Sequence, residues 1–573
     1  MANLFVGFHS TYSTINAAMV SAIAGDTINL ETGYSNETAI INKTGVGVTG
    51  DASSVGIILQ LAVGIPTFSV TGTAPFAILD ATDANGMVGN DGDNTITVTA
   101  GVDSVNGGLG VDRLVVDYHL ATGAVTGNSV SNFTEAGGGG RSVTITAGTI
   151  EHFTVLTGNG ADTLTVGDGD NIIIAGNGAN TITAGDGANS VTGGDNADTI
   201  TVGNGGNMVD GGNGANTMTS GTGNDTILSG NGADTIVTGA GADLITVRGG
   251  ADTADAGAGD DLLTVDYGAM VTNVTGGVSG GNLGTGYVGT LADGVGSSVG
   301  FVGVENFTII TGSGNDSVTT GDGIDVVIGG SGNDTIQTAG GDDGLVGGIG
   351  NDSLDGGSGN DAIYGSDGTD TLQGGLGIDH LDGGAGGDWL DGGAGTDFAR
   401  YDGSLNGVVV RLDAGIGLDG DAQGDTLLGI EGLMGSGQAD FLIGDASGNI
   451  LFGQDGADWL FGQGGSDSLY GGSGSDQLIG GSGADWLYGG ERNDQFWFLA
   501  NDFEVGVFDR IMDFGSTGAN VDYLHFEGIT PASLIITDQI GYVHITTAAV
   551  GLTGGIAVFG ATAAHLHDVI TFA

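Results

Sequence analysis

Thr157-Gly158-Asn159-Gly160-Ala161-Asp162-Thr163-Leu164-Thr165 is the first of twelve nine-residue units that follow one another to Thr264 without an insertion. Ser229-Gly230-Asn231-Gly232-Ala233-Asp234-Thr235-Ile236-Val237 is another. Within the twelve, the second position is Gly in all but one (Arg248), and the fourth in all but one (Asn196). The sixth is always Asp or Asn, and the eighth is always apolar. A register held over this distance is the signature of a repeat architecture. Positions seven to nine predict a short strand with one inward side chain, and positions one to six predict a Gly-rich turn. One apolar residue per unit makes no core alone, so successive strands must stack into two facing sheets, two units per coil. Equivalent residues then recur every 18 positions, about 4.8 Å apart along the axis.

The same register returns in ten units from Thr311 to Arg400, in seven looser units from Gly435 to Trp497 and in three imperfect ones from Gly89 to Val115. The expected fold is all-β, a parallel β-roll or β-helix solenoid. Its thirty-two units make about 16 coils, a rigid rod with roughly 75 Å of axis plus inserts.

Composition supports a folded but strongly acidic chain. Of 573 residues, 123 are Gly and 3 are Pro, and 39% are hydrophobic, too many for a disordered acidic tail. Eight Lys and Arg against 69 Asp and Glu give a formal charge of −61. No basic patch can be assembled, so nucleic acid is excluded as a direct partner and anionic membranes are disfavoured. Dense carboxylate calls for a hard cation, and Ca²⁺ prefers oxygen ligands. Stacking places Asp352 between Asp334 and Asp370 in one column, where like charges repel unless a cation separates them. Cys is absent, leaving metal ions rather than disulfides to staple the chain. No run of 18 apolar residues predicts a transmembrane helix, and the N-terminus lacks the basic and apolar regions of a Sec signal.

Gly356-Gly357-Ser358-Gly359-Asn360-Asp361, Gly383-Gly384-Ala385-Gly386-Gly387-Asp388 and Gly480-Gly481-Ser482-Gly483-Ala484-Asp485 resemble the RTX (repeats-in-toxin, hemolysin-type) motif Gly-Gly-x-Gly-x-Asp-x-U-x, with U apolar. The resemblance implies a right-handed parallel β-roll that binds Ca²⁺ between adjacent turns. It also implies type I secretion by Gram-negative bacteria, with folding triggered by extracellular Ca²⁺.

If each ion needs Asp at both i and i+18, candidate ligands can be named. They are Asp225, Asp234, Asp243, Asp252 and Asp261 in the long run, and Asp316, Asp325, Asp334, Asp343, Asp352, Asp361, Asp370, Asp379, Asp388 and Asp397 in the next. Asp440, Asp458, Asp467, Asp476, Asp485 and Asp494 complete the set. They form about fifteen pairs, and fifteen divalent ions would cancel about half of the charge. Asn171, Asn180, Asn189, Asn207 and Asn216 replace Asp in the long run. Residues 166–219 are therefore expected to bind Ca²⁺ weakly or to use stacked Asn side chains as a hydrogen-bonding ladder, unless main-chain carbonyls suffice beside a single Asp.

Inserts interrupt the runs. They open with Val116-Asp117-Tyr118, Val265-Asp266-Tyr267 and Tyr401-Asp402, and close with Ile150-Glu151-His152-Phe153, Val304-Glu305-Asn306-Phe307 and Ile430-Glu431-Gly432-Leu433. Hairpins that leave and rejoin the roll are the expected form, similar to spacers in long RTX arrays. A short apolar helix near Ala17–Ala24, followed by Gly25-Asp26-Thr27-Ile28, resembles the start of a pectin-lyase-like β-helix. A terminal cap is what a solenoid needs. Phe496-Trp497-Phe498, Phe508–Phe514 and Val521–Leu524 resemble the C-terminal region of serralysin-type proteins. The apolar end Asp568-Val569-Ile570-Thr571-Phe572-Ala573 suits an uncleaved type I secretion signal. The expected segments are a cap at 1–88, β-roll with inserts at 89–310, a second β-roll with insert at 311–434, a third at 435–497, and a C-terminal cap and secretion region at 498–573.

Catalytic signatures are sparse. No His begins His-Glu-x-x-His, so the zinc protease reading fails. His565 and His567 read as surface strand. Gly277-Val278-Ser279-Gly280-Gly281 fits Gly-x-Ser-x-Gly but lies in a Gly-rich insert, not a strand-to-helix elbow. Thr163/Thr165, Thr181/Thr183, Thr199/Thr201 and Thr217/Thr219 stack as a double row that looks like the faces of ice-binding solenoids. Thr also simply suits exposed strands.

The expectation is a secreted calcium-binding protein, non-enzymatic, acting at the cell surface in adhesion or as an S-layer or biofilm matrix component. Its partners would be Ca²⁺ and the type I secretion machinery, with surface polysaccharide or self-association beyond them. The alternative is a polysaccharide-acting lyase, hydrolase or epimerase on a β-helix scaffold, for which only Lys43 and isolated Arg offer substrate-binding cations.

Overall fold

The structure is a computed structural model that describes residues 2–572 apart from 138, 501, 505, 518–519, 548–553, 560 and 567–568. His567, Asp568 and Ala573 of the C-terminal segment thus lie outside the described residues. The chain divides into two compact units: Met1–Asp266 with Ser279–Ala292 and Gly296–Glu305, and Tyr267–Val278 with Asp293–Val295 and Asn306–Ala573.

Both units are parallel β-solenoids. In the first, Thr163–Thr165, Thr181–Thr183, Thr199–Thr201 and Thr217–Thr219 pair in parallel with an 18-residue register. The facing sheet does the same through Ile172–Ile174, Ser190–Thr192, Met208–Asp210 and Thr226–Leu228. Each three-residue strand buries its middle side chain and exposes its flanks, so Leu164, Ile173, Ile182, Val191, Ile200 and Val209 line the interior. The double row of Thr is therefore realised on the outer face of one sheet.

In the second unit the strands lengthen into the turns. Thr371–Gly377 pairs with Trp389–Gly395 from Thr371↔Trp389 through Gly377↔Gly395, so the turns stack in register as well. That stacking depends on glycine at two positions per unit. Gly348 and Gly350 take φ of 112° and 143°. A Cβ on Gly350 would collide with the Gly332 carbonyl oxygen of the coil before. Gly359 and Gly377 stand in the same relation to Gly341 and Gly359. Gly350→Ala is therefore expected to lower the stability of the calcium-loaded protein by about 3 kcal/mol, since strain at such positions costs about 1–3 kcal/mol before the clash is added. Gly344→Ala is the control, because a Cβ there meets only Val326 Cγ2 at 3.8 Å. Equal thermal midpoints for the two variants would refute the steric argument.

The inserts are antiparallel excursions. Val125–Asn128, Asn132–Glu135 and Ser142–Ile145 run up, down and up. The first of these strands pairs in parallel with the following coil at Thr163, and the last with the preceding coil at Val102. Val409–Arg411, Ile416–Leu418 and Thr426–Leu428 repeat the arrangement. The tyrosines that open the inserts, Tyr118, Tyr267 and Tyr401, are fully buried.

At the N-terminus, helix Ile15–Ser21 starts two residues before the apolar stretch read from sequence, because the Thr14 side chain accepts the Ala17 N–H and caps it. Around it Asn3–Val6, Thr27–Leu30 and Gly47–Gly50 already form a parallel ladder. At the other end Phe496 and Phe498 are buried, and Trp497 stacks on His525 at 4.3 Å. Among the described residues no helix is long and apolar enough to cross a membrane.

Candidate metal centres

The sixth position of each unit points its carboxylate along the stack. Asp334 donates its backbone N–H to Oδ1 of Asp352 at 2.7 Å, and Asp352 donates to Oδ1 of Asp370 at 2.7 Å. On the other edge Asp343, Asp361 and Asp379 repeat this at 2.9 and 2.8 Å. All fifteen Asp pairs named from the sequence are joined this way, including 225/243, 234/252 and 243/261 in the first unit and 316/334, 325/343, 370/388 and 379/397 in the second. Nearer the C-terminus the pairs 352/370, 361/379, 440/458, 458/476, 467/485 and 476/494 follow suit.

One carboxylate oxygen is thereby satisfied and the other is not. Oδ2 of Asp334, Asp352, Asp361, Asp370, Asp379, Asp388 and Asp397 is buried and receives no hydrogen bond. The same holds for Asp458, Asp467, Asp476, Asp485 and Asp494. Native proteins seldom leave such atoms unpaired. Each Oδ2 faces the glycine five residues earlier, at the first position of its unit. The point a Cβ of Gly471 would occupy lies 2.6 Å from Oδ2 of Asp476 and 2.6 Å from the Gly489 carbonyl oxygen. Beside Gly365 the corresponding distances are 2.5 Å to Asp370 Oδ2 and 2.6 Å to the Gly383 carbonyl. Only glycine leaves this space open. The converging donors are all oxygen, as a hard cation requires. Among the described residues no three His, Asp or Glu side chains gather around one point, so a site here combines at most two carboxylates with backbone carbonyls.

Burial, and then the neighbouring carboxylates, push these acids up. Asp343 and Asp458 rise to about 8, and Asp370, Asp467 and Asp494 to about 7. Without a counterion the folded columns favour protons.

Asn changes the chemistry of one edge. Asn171 Nδ2 donates to the carbonyls of Gly167 and Gly169 at 3.0 and 2.8 Å and to Asn189 Oδ1 at 2.9 Å. Asn189 repeats this on Gly185, Gly187 and Asn207, and Asn207 on Gly203, Gly205 and Asp225. Here the amide nitrogen meets the turn carbonyls itself, forming the ladder expected as one alternative for residues 166–219. On the opposite edge Asn180 and Asn216 alternate with Asp198 and Asp234. Their amides reach turn carbonyls at 3.3 to 3.4 Å.

Three further carboxylates join the columns outside the nonapeptide register. Asp388, Asp485 and Asp494 donate their N–H groups to Oδ1 of Asp425, Asp509 and Asp522 at 2.9, 3.1 and 2.9 Å. Two of these close their columns with protein donors: Tyr401 OH reaches Asp425 Oδ2 at 2.9 Å, and Gly515 N–H reaches Asp522 Oδ2 at 2.6 Å. Asp509, deeply buried and beside Asp485, is pushed up to about 9. Asp440 also departs from the pattern, because Ser436 N–H occupies its Oδ2 at 2.6 Å. Ser279 lies on strand Thr275–Asn282 and donates Oγ–H to the Val288 carbonyl at 3.1 Å, so no nucleophile elbow forms around it.

No curated protein matches the sequence. Among solved structures, the chain is similar to one described as the extracellular lipase LipA from Serratia marcescens, at 13% identity and a TM-score of 0.11. That match covers 69% of this chain and 45% of the lipase, so the chain spans less than half of that structure's length. At so low a TM-score the likeness carries no argument. The RTX calcium-binding nonapeptide repeat matches residues 87–117, 156–191, 192–227, 228–263, 310–345, 338–372, 364–399, 434–469 and 461–496, just over half of the chain. Because these matches cover more than half of its length, the chain belongs to the RTX calcium-binding nonapeptide repeat family.

Proposed function

We propose that the protein is exported by type I secretion and folds outside the cell on Ca²⁺, there to serve as a non-enzymatic surface, adhesion or matrix component. The observation that carries this reading is the row of buried carboxylate oxygens without donors, from Asp334 to Asp397 and from Asp458 to Asp494. A chain of formal charge −61 cannot hold such columns ionised at neutral pH without cations. The Asp residues named above are the ligands, except Asp440, whose Oδ2 is taken by Ser436 N–H, and turn carbonyls complete each shell. About fifteen ions would remove roughly half of the charge. Where Ca²⁺ is scarce, the same repulsion weakens the folded coils and favours an expanded chain, a form suited to passage through a secretion channel. Where Ca²⁺ is abundant, binding energy becomes folding energy. A role carried by surface rather than turnover is supported by the use of the buried carboxylates as column members and by the placement of Ser279 on a plain strand.

The test is circular dichroism of the full chain in chelator and in Ca²⁺, with metal counted after dialysis. Strand signal should rise on adding Ca²⁺, with about fifteen ions retained. Equal order in both conditions, with no retained ion, would overturn the reading.

A further inference from the structure

Each insert ends on a glutamate that the repeat does not require: Glu151, Glu305 and Glu431. All three sit where the next Asp of a column would be. Asp112 donates its N–H to Glu151 Oε2 at 2.8 Å, Asp261 to Glu305 Oε2 at 3.0 Å, and Asp397 to Glu431 Oε2 at 3.0 Å. In a regular coil the same N–H goes to an Asp Oδ1 eighteen residues on. Here the separations are 39, 44 and 34 residues, about the length of the intervening insert. The return chain is also stitched by backbone: Asp112 O accepts from Glu151 and His152 N–H at 3.1 and 3.0 Å, and Asp397 O from Glu431 and Gly432 N–H at 3.0 and 2.8 Å.

The rest of the cradle is present too. Asp112 and Asp397 are both fully buried, and the Oδ2 of each receives no hydrogen bond. Beside Gly107, the Asp112 Oδ2 lies 2.5 Å from the position of a Cβ, and the Thr149 carbonyl oxygen crowds the same point. Beside Gly392, Asp397 Oδ2 lies 2.9 Å from that position, and the Gly429 carbonyl oxygen crowds it. These are the carbonyl and carboxylate oxygens of an ordinary repeat site, but the carbonyl comes from the insert. The longer Glu side chain supplies the second carboxylate where the Gly-rich turn has been replaced by the insert's return.

We propose that Asp112 with Glu151, and Asp397 with Glu431, form mixed Asp/Glu calcium sites that clip an insert back onto the roll. They lie outside the Asp/Asp pairs of the nonapeptide register and add ions to that count. The proposal rests on calcium binding by the repeats, so its test needs a regular site beside it. Glu151→Gln and Glu431→Gln keep an oxygen for the Asp112 or Asp397 N–H. They place an amide among the carbonyls, as Asn171 does, so folding is preserved while the ligand charge is lost.

The full-length protein, the two single variants and their double would be saturated with Ca²⁺, dialysed and counted for metal. Asp352→Asn serves as the regular-site control, and circular dichroism checks that each is folded. Each Gln variant should retain one ion fewer than the parent, and the double two fewer. Unchanged counts in folded Gln variants, with Asp352→Asn losing metal, would overturn the clip and leave the repeat sites standing. No retained metal in the parent would overturn calcium binding itself. If the double variant fails to fold, the single variants decide by the same one-ion difference.

Discussion

With calcium chelated, the protein is expected to lose stability as the pH rises from about 4 to about 8. Most proteins, whose carboxylates are paired, lose it as the pH falls. The direction follows from the columns. Desolvation, with help from Asp325 and Asp361, lifts Asp343 from 3.8 to about 8, and desolvation with Asp476 and Asp440 lifts Asp458 equally. Asp252, Asp370, Asp467 and Asp494 reach about 7, and Asp334, Asp361, Asp397 and Asp476 about 6. An acid raised by folding holds its proton in the folded chain at pH values where the unfolded chain has released it. Its contribution is complete below the unfolded value near 3.8 and is lost as the pH climbs through the folded one. Each proton so retained changes stability by about 1.4 kcal/mol per pH unit. Several act together, so the thermal midpoint in chelator should be on the order of 10 °C higher at pH 5.5 than at pH 8. Calcium reverses the slope, because it needs the deprotonated carboxylates that acid removes. Thermal melts at pH 5.5, 6.5, 7.5 and 8, each with chelator and with saturating Ca²⁺, would show two crossing trends. A chelated midpoint that does not fall with pH would refute the claim that one oxygen of each of these carboxylates is buried without a donor.

The columns were legible because the coil repeats every 18 residues. A nine-residue register that puts one apolar residue inward, as Leu164 and Ile173 show, also puts the sixth residue of each unit on an edge. Asp334, Asp352 and Asp370 could therefore be stacked on paper. Asp425, Asp509 and Asp522 could not, because they follow their partners by 37, 24 and 28 residues. A column belongs to coil position, not to sequence spacing, and an insert or a change of strand length hides the next member. Asp440 departs from the pattern for a different reason. Its spacing to Asp458 is regular, yet Ser436 stands where the repeat has glycine and turns its N–H onto the oxygen that a cation would use. The inserts were legible only as Gly-punctuated strand pairs. Their antiparallel strands continue the flanking parallel sheets through contacts, such as Val125–Asn128 on Thr163–Thr165, that no local pattern specifies. The Asn-rich stretch left two readings open, and the amide nitrogens select between them on one edge. Nothing in the composition of the stretch shows that Asn171, Asn189 and Asn207 run consecutively there while Asn180 and Asn216 alternate with Asp opposite.

Replacing Asn171, Asn189 and Asn207 together by Asp is expected to turn a calcium-indifferent edge into a calcium-requiring one. In the wild-type protein each amide donates to two turn carbonyls and to the side-chain oxygen of the coil above, as Asn189 does to Gly185, Gly187 and Asn207 at 2.9, 3.1 and 3.0 Å. Each side-chain oxygen also accepts a backbone N–H from the coil below, as Asn189 Oδ1 does from Asn171 at 3.3 Å. This second contact survives substitution, but the first does not. An Asp there aims a carboxylate oxygen at two carbonyls in a buried turn. Leaving one such group unsatisfied costs about 1–3 kcal/mol, so three should cost on the order of 5 kcal/mol in chelator. Calcium would restore the loss, because the variant recreates the column that Asp334, Asp352 and Asp370 already form, and up to three more ions should be retained. Hydrogen exchange in chelator reads the change where it occurs. Amides of residues 163–210 should be better protected in the wild-type chain than those of residues 326–399, and the variant should erase the difference. Adding Ca²⁺ should then bring protection of the variant back to the wild-type level. A triple variant as well protected in chelator as the wild type would show that the amides do not hold the coils together, and the account of this edge would fall.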